Sequence, residues 1–199
     1  MSRGVDIDVF GEDTAHEAIV KPMVLRCAAV MSMAVSIEIR SARGGHPRLA
    51  SELRTYQRLI ELEAIRTPDI LVVAVDANER GFAMTKKYIK EHIASTLVPR
   101  LVVACADPHV ERWYLTDSTA FQSAVGGSVP SLRIKNERHA YKRLLAKAVV
   151  DAGHPPTLGG IEFAQEIVGA MDFYRAGRRD HSLRDFIASL EAYFRGVVA

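Results

Sequence analysis

Two kinds of hydrophobic spacing alternate along the first half of this chain. In "GVDIDVFGED", Val5, Ile7 and Val9 face Asp6 and Asp8 with a period of two, which predicts a short strand closed by Gly11 and Glu12. In "DTAHEAIVKPMVLRCAAV" the apolar residues Ala15, Ala18, Ile19, Met23, Cys27 and Val30 fall near helical spacing. Asp13 or Thr14 can cap that helix, and Pro22 is expected to kink it or break it into two pieces. "MAVSIEIRSA" alternates again and runs into "RGGHP", a loop with the backbone freedom of two glycines. "RLASELRTYQRLIELEA" then sets Leu49, Leu53, Tyr56, Leu59 and Ile60 on one helical face. "PDILVVAVDA" and "RLVVACADP" are instead unbroken apolar runs, the mark of strands buried on both faces of a parallel sheet. The helix "GFAMTKKYIKEHIAS" separates them, and "VERWYLTDSTAFQSAVG" reads as a further helix.

Strands and helices in this order predict an α/β fold: an open, mainly parallel sheet of about four strands flanked by helices. After residue 126 the pattern changes to a loop, "GGSVPSLRIKN", and three helical segments: "ERHAYKRLLAKAVVDAG", "GIEFAQEIVGAMDFYRAG" and "SLRDFIASLEAYFRGVV". Ser182 with Asp185 resembles a capping box for the last of these. The chain thus divides into an α/β core over residues 1–126 and a helical C-terminal extension over 127–199 packed on it.

Composition narrows the class without naming a function. With 26 Lys and Arg against 24 Asp and Glu, the net charge of +2 demands no polyanionic partner, although a local basic patch remains open. Cys27 and Cys105 sit inside apolar runs with no paired spacing for zinc or a disulfide framework, so both are expected as buried reduced thiols. No apolar run approaches the ~20 residues that cross a bilayer, and no signal architecture opens the sequence, which predicts a cytoplasmic protein.

In open α/β sheets, ligands bind beyond the carboxyl ends of the strands. That rule selects Glu12 and Asp13, Arg43 to His46, Asp76 and Asn78, and Asp107 to Glu111. Asp13 and Asp107 are good helix caps, whereas Glu12 is a poor one and Asp76 ends the strongest buried strand. Acids gathered at one edge repel one another unless a cation offsets them, and oxygen donors alone favour a hard ion such as Mg²⁺. Glu12 and Asp76 suffice for one such ion, with Asn78 as a neutral oxygen donor.

"VFGED" followed by "ILVVAVDANERG" resembles the Toprim signature, a Glu after the first strand and Asp-x-Asp after the third. "PHVERWYLTDSTAF", "ERHAYKRLLAKAV" and "PPTLGGIEFAQEIVGAMD" extend the likeness to small Toprim-like proteins of bacteria and archaea. These are related to phage-defence nucleases of the overcoming-lysogenization-defect type. The resemblance covers roughly residues 5 to 190. It implies phosphodiester chemistry with Mg²⁺ or Mn²⁺, Glu12 as general base or metal-positioning acid and Asp76 as metal ligand. Asn78 stands where the pattern has its second Asp, so either Glu111, Asp117 or Glu79 supplies the missing charge or the nuclease activity is lost. The two resulting readings are a nuclease acting on nucleic acid and a catalytically inactive module that binds nucleic acid or a partner ATPase. A homodimer is left open by either.

Outside the acid cluster, Lys135, Arg138 and Lys142 form a candidate phosphate-binding stripe, with a solvated helix face as the alternative. Trp113 is either core or a base-stacking surface, and His46 is either a loop histidine or an acid or base at a strand end.

Overall fold

In the computed structural model, the described residues are 4–41, 45–129 and 139–198. Four strands, β1 (Val5–Gly11), β2 (Val35–Ser41), β3 (Ile70–Asp76) and β4 (Leu101–Ala106), form one sheet in the order β2-β1-β3-β4. All three pairings are parallel, as expected from the unbroken apolar runs. From β1 the chain moves outward to β2, and from β3 outward to β4 on the opposite side, so the direction of winding reverses between β1 and β3. The crevice at their carboxyl ends is where such sheets receive ligands.

Both faces of the sheet are covered. Ile7, Val9, Val72, Ala74 and Ala104 pack on helix α1 (Thr14–Val30) and on the C-terminal helices. Phe10, Leu71, Val73, Val75 and Cys105 pack on the other side against α2 (Gly45–Glu61) and α3 (Phe82–Glu91). The alternation in β1 does not signal a wet face: Asp8 is buried, and its Oδ2 accepts the Tyr56 hydroxyl at 2.6 Å and Arg40 Nε at 2.9 Å. Those partners keep a buried charge tolerable in a central strand.

Several expectations for the helices need correction. α1 runs unbroken through Pro22, with Ile19, Val20, Met23 and Val24 fully buried around it, so packing holds the helix across the lost backbone donor. "VERWYLTDSTAFQSAVG" is two helices, α4 (Glu111–Thr116) and α5 (Ser118–Val125), because extended Asp117 stops the first and caps the second through the Thr119 and Ala120 N–H groups. The tail holds α6 (Ala140–Asp151), α7 (Ala164–Ala170), α8 (Phe173–Arg179) and α9 (His181–Val198). "GIEFAQEIVGAMDFYRAG" therefore divides, with Asp172 capping α8 through the Arg175 N–H. The cap of α9 is Asp180, whose Oδ1 accepts the N–H groups of Ser182 and Leu183 at 3.0 Å each, and not Ser182 with Asp185. Asp107 is likewise no helix cap: α4 begins only at Glu111, and Asp107 faces His181 Nε2 at 3.3 Å.

The tail shares the core of the sheet. α9 lies against β4 and α1, while α7 lies against α1 and α5. Trp113 is fully buried, stacks on Phe186 of α9 with ring centroids 5.6 Å apart, and donates its Nε1–H to Ser182 Oγ at 3.0 Å; it is core, not a stacking surface. Both cysteines are free and buried, and burial pushes each thiol up to about 12. Among the described residues no helix is long and apolar enough to cross a membrane.

Asp117 is committed to this packing. Its carboxylate receives Arg175 at 2.7 Å and the Asp172 N–H at 2.9 Å. Burial opposes its charge, but Arg175 and the backbone donors outweigh burial and lower the carboxyl below its ordinary 3.8. A lowered carboxylate adds stability above its unfolded value that disappears as pH falls through the folded one. Urea midpoints measured from pH 5 down to pH 2 should fall for the native chain, and Asp117→Asn should be less stable at pH 5 with a shallower acid slope; identical slopes would remove Asp117 from this role.

Candidate functional site

β1 and β3 are neighbours, and Glu12 follows the pairing of Gly11 with Ala74 directly. The Glu12 N–H donates to Ala74 O at 3.0 Å, and Glu12 Oε2 accepts the Asp76 N–H, also at 3.0 Å. The two acids named from sequence are thus fastened to each other at the winding reversal.

Asp76 in turn joins two further pieces of chain, the loop after β4 and α1. Its Oδ1 accepts the Val110 N–H at 2.8 Å, and its Oδ2 pairs with His109 Nδ1 at 3.0 Å. His16 Nε2 lies 3.1 Å from Oδ1, an ion-pair contact outside hydrogen-bond geometry. The other nitrogen of His16, Nδ1, is 2.8 Å from Asp13 Oδ1, which also accepts the Ala15 and His16 N–H groups as the cap of α1. Tyr114 of α4 donates its hydroxyl to Ala15 O at 2.7 Å, fixing the start of α1 beside α4.

These contacts decide protonation. Burial works against a charged His16, but the carboxylates of Asp76 and Asp13 on either side outweigh it and raise the imidazole well above 6.5. The same attraction lowers Asp76 despite its burial and brings Asp13 down to about 2. His109 is raised first by its hydrogen bond to Asp76. Glu111 moves the opposite way: burial raises it, and the Asp76 charge adds to the rise. Only 9% of Glu111 is exposed, and no ion pair to it forms among the described residues.

The side chains surround a cavity of about 550 Å³, within the ~300–1,000 Å³ range of small-ligand sites. Its acids are Glu12, Asp13, Asp76, Glu79 and Glu111, joined by Asn78. Its basic groups are Arg80, His109, His139 and Lys142. Asn78, Glu79 and Arg80 reach it from a 3₁₀ turn, which Asn78 enters at a φ of 49°, rare for a residue with a side chain. The Asn78 N–H donates to Pro108 O at 3.1 Å, so the turn after β3 is tied to the loop after β4.

Glu12, Asp76, Asn78, Glu111 and Lys142, all named from sequence, therefore line one cavity. Glu79 lies there too, whereas Asp117, the other acid considered as a substitute charge, is held by Arg175 in the packing of α5 and α8. Lys135, Arg138 and Arg43 lie outside the described residues, as does the side chain of His46. His16 and His109 were not singled out by sequence reasoning. Their signals are short: "DTAH" sets a histidine one helical turn after a capping acid, and "DPHVE" places one just before the α4 acid.

Among the described residues no three His, Cys, Asp or Glu side chains are grouped to hold a metal ion. The donors nevertheless fit a looser site. A carboxylate has about four lone-pair positions, and Asp76 has at least three engaged, so it serves chiefly as an anchor. Glu12, Glu111 and Asn78 line the same cavity, and burial raises the Glu111 carboxyl. Such a set suits Mg²⁺ carried on one or two carboxylates, waters and a substrate phosphate.

Comparison of the chain with family models, curated proteins and solved structures yields no match.

His16 should be an imidazolium at neutral pH. A raised histidine contributes stability fully below 6.5 and loses that contribution as pH rises through its folded value. Ring nitrogen shifts measured by NMR at pH 7 should show His16 doubly protonated; a ring titrating near 6.5 would contradict the paired-acid environment.

Proposed function

We propose that this protein is a Mg²⁺-dependent enzyme of phosphodiester chemistry acting on nucleic acid, with Toprim-like site organisation and a place in phage defence. The observation that carries the reading is the single cavity in which oxygen donors Glu12, Glu111 and Asn78 meet the basic groups Arg80, His139 and Lys142. Oxygen donors alone would suit many cations, and basic groups alone many anions. Together they suit an ion and the phosphate it carries.

In this reading Glu12, Glu111 and Asn78 would hold Mg²⁺, or Mn²⁺ in its place. When bound, the ion supplies positive charge that stabilises the phosphoryl oxygens. Asp76 fixes Glu12 through its backbone N–H and orients His109 through Nδ1. That pairing leaves Nε2 of His109 to deliver a proton to the leaving oxygen. Lys142 and Arg80 place the phosphate as point charge and fork. Glu12 doubles as the acid that positions the attacking water.

A second reading is favoured by one specific feature, the engagement of both Asp76 oxygens together with an amide at position 78. It is an inactive module of the same fold that binds nucleic acid or a partner ATPase. Single- and double-stranded DNA and RNA incubated with Mg²⁺ or Mn²⁺ separate the two. Native protein should cleave at least one substrate, and Glu12→Gln and Asp76→Asn should each lose about 100-fold or more. Equal rates in all three proteins would remove the assigned site. No cleavage by native protein, with binding that Lys142→Ala weakens, would select the module.

A further inference from the structure

A second, smaller chamber opens beside the main cavity. Its volume is about 130 Å³, and Asp13, Glu111 and Lys142 line both spaces, so the two are adjoining compartments of one site. The small chamber is about a quarter the size of the main cavity. That is room for one compact group and too little for a length of strand.

Its walls differ from those of the main cavity. Leu158, Ile161 and Ala15 supply apolar surface, beside the polar Thr14 and Asp13 and the charged Glu111 and Lys142 that the chamber shares with the main cavity. Asp13 Oδ1 takes the three contacts that cap α1 and hold His16, which leaves Oδ2 to accept from a ligand amino group. Apolar surface with an acceptor at one margin is what a planar, amino-bearing ring requires.

The chamber is preformed. Glu162 accepts the Gly160 N–H at 2.8 Å and the Leu158 N–H at 3.4 Å, closing the loop on itself. Gly160 has a φ of 100°, and a Cβ there would lie 2.8 Å from Leu145 Cγ, so only glycine lets this loop sit against α6. α6 also carries Lys142, so the apolar wall and the cation shared by both chambers rest on the same helix. Leu158 remains 59% exposed, an apolar side chain left at the mouth of the chamber.

We infer that the small chamber is a base subsite: it takes one nucleobase, against Leu158 and Ile161, while the attached phosphate lies at Lys142 in the main cavity. The substrate class is then a single nucleotide unit, either free or turned out of a single strand, and not an intact duplex lying across the site. This inference rests on the phosphate reading of the main cavity.

The test is calorimetric titration of the full chain in Mg²⁺ buffer with adenosine 5′-monophosphate and with ribose 5-phosphate, which lacks only the base. Native protein should prefer the nucleotide by about tenfold or more, the scale of one base packed on a side-chain surface. Leu158→Ala, a change at an exposed position that the fold tolerates, should bring the two ligands within about twofold of each other by weakening the nucleotide alone. Equal affinities in native protein, or an undiminished preference in Leu158→Ala, would overturn the base subsite and leave the phosphate reading standing. Binding of neither ligand would overturn both.

Discussion

Asp76 ties together the strand exits at which the cavity lies. Its backbone N–H holds Glu12, and its carboxylate holds the Val110 N–H, His109 and the buried ring of His16. Through those contacts the exits of β1, β3 and β4 and the first turn of α1 are fixed relative to one another. A buried acid is costly unless compensated, and here the compensation comes from groups on two other segments, the loop after β4 and α1, so the charge that threatens the fold also draws the segments together. His16 gains from the same arrangement: caught between Asp13 and Asp76, it keeps a proton that burial alone would remove.

The consequence for chemistry is a division of labour among acids that look alike in sequence. Asp13 and Asp76 are neutralised by histidines and shape the site. Glu111 moves the other way, its carboxyl raised by burial and by the Asp76 charge. Basic groups reach the cavity from the turn after β3, where Arg80 sits beside Glu79, from the loop after β4 and from the start of α6.

Much of this was legible before any coordinates. The unbroken runs at 70–76 and 101–106 mark strands buried on both sides, which puts Glu12 and Asp76 at one edge of the sheet; that they are immediate neighbours follows from the strand order, which the sequence did not reveal. Asn78 and Glu111 fall into the same cavity by the rule that places ligands at strand ends, and Lys142, picked out as part of a basic helical stripe, joins them there. What escaped was set by single polar side chains acting across long sequence distances. Asp117 splits a continuous helical pattern because Arg175 and the Asp172 N–H reward its extended conformation, and Asp180 takes over a cap that local spacing assigns to Ser182. The histidines were hidden for the same reason, since a buried His16 has meaning only once Asp76 arrives from another strand. The burial of Asp8 was equally out of reach, since its partners Tyr56 and Arg40 come from other elements.

The central claim is that the Asp76 knot presents Glu12 and Glu111 to one divalent ion. Anomalous diffraction from crystals soaked in Mn²⁺ tests it without reliance on turnover. The account predicts a Mn²⁺ peak in the main cavity in contact with Glu12 and Glu111, with Asp76 still bound to His109. A cavity without manganese, or a peak that avoids Glu12, would contradict it.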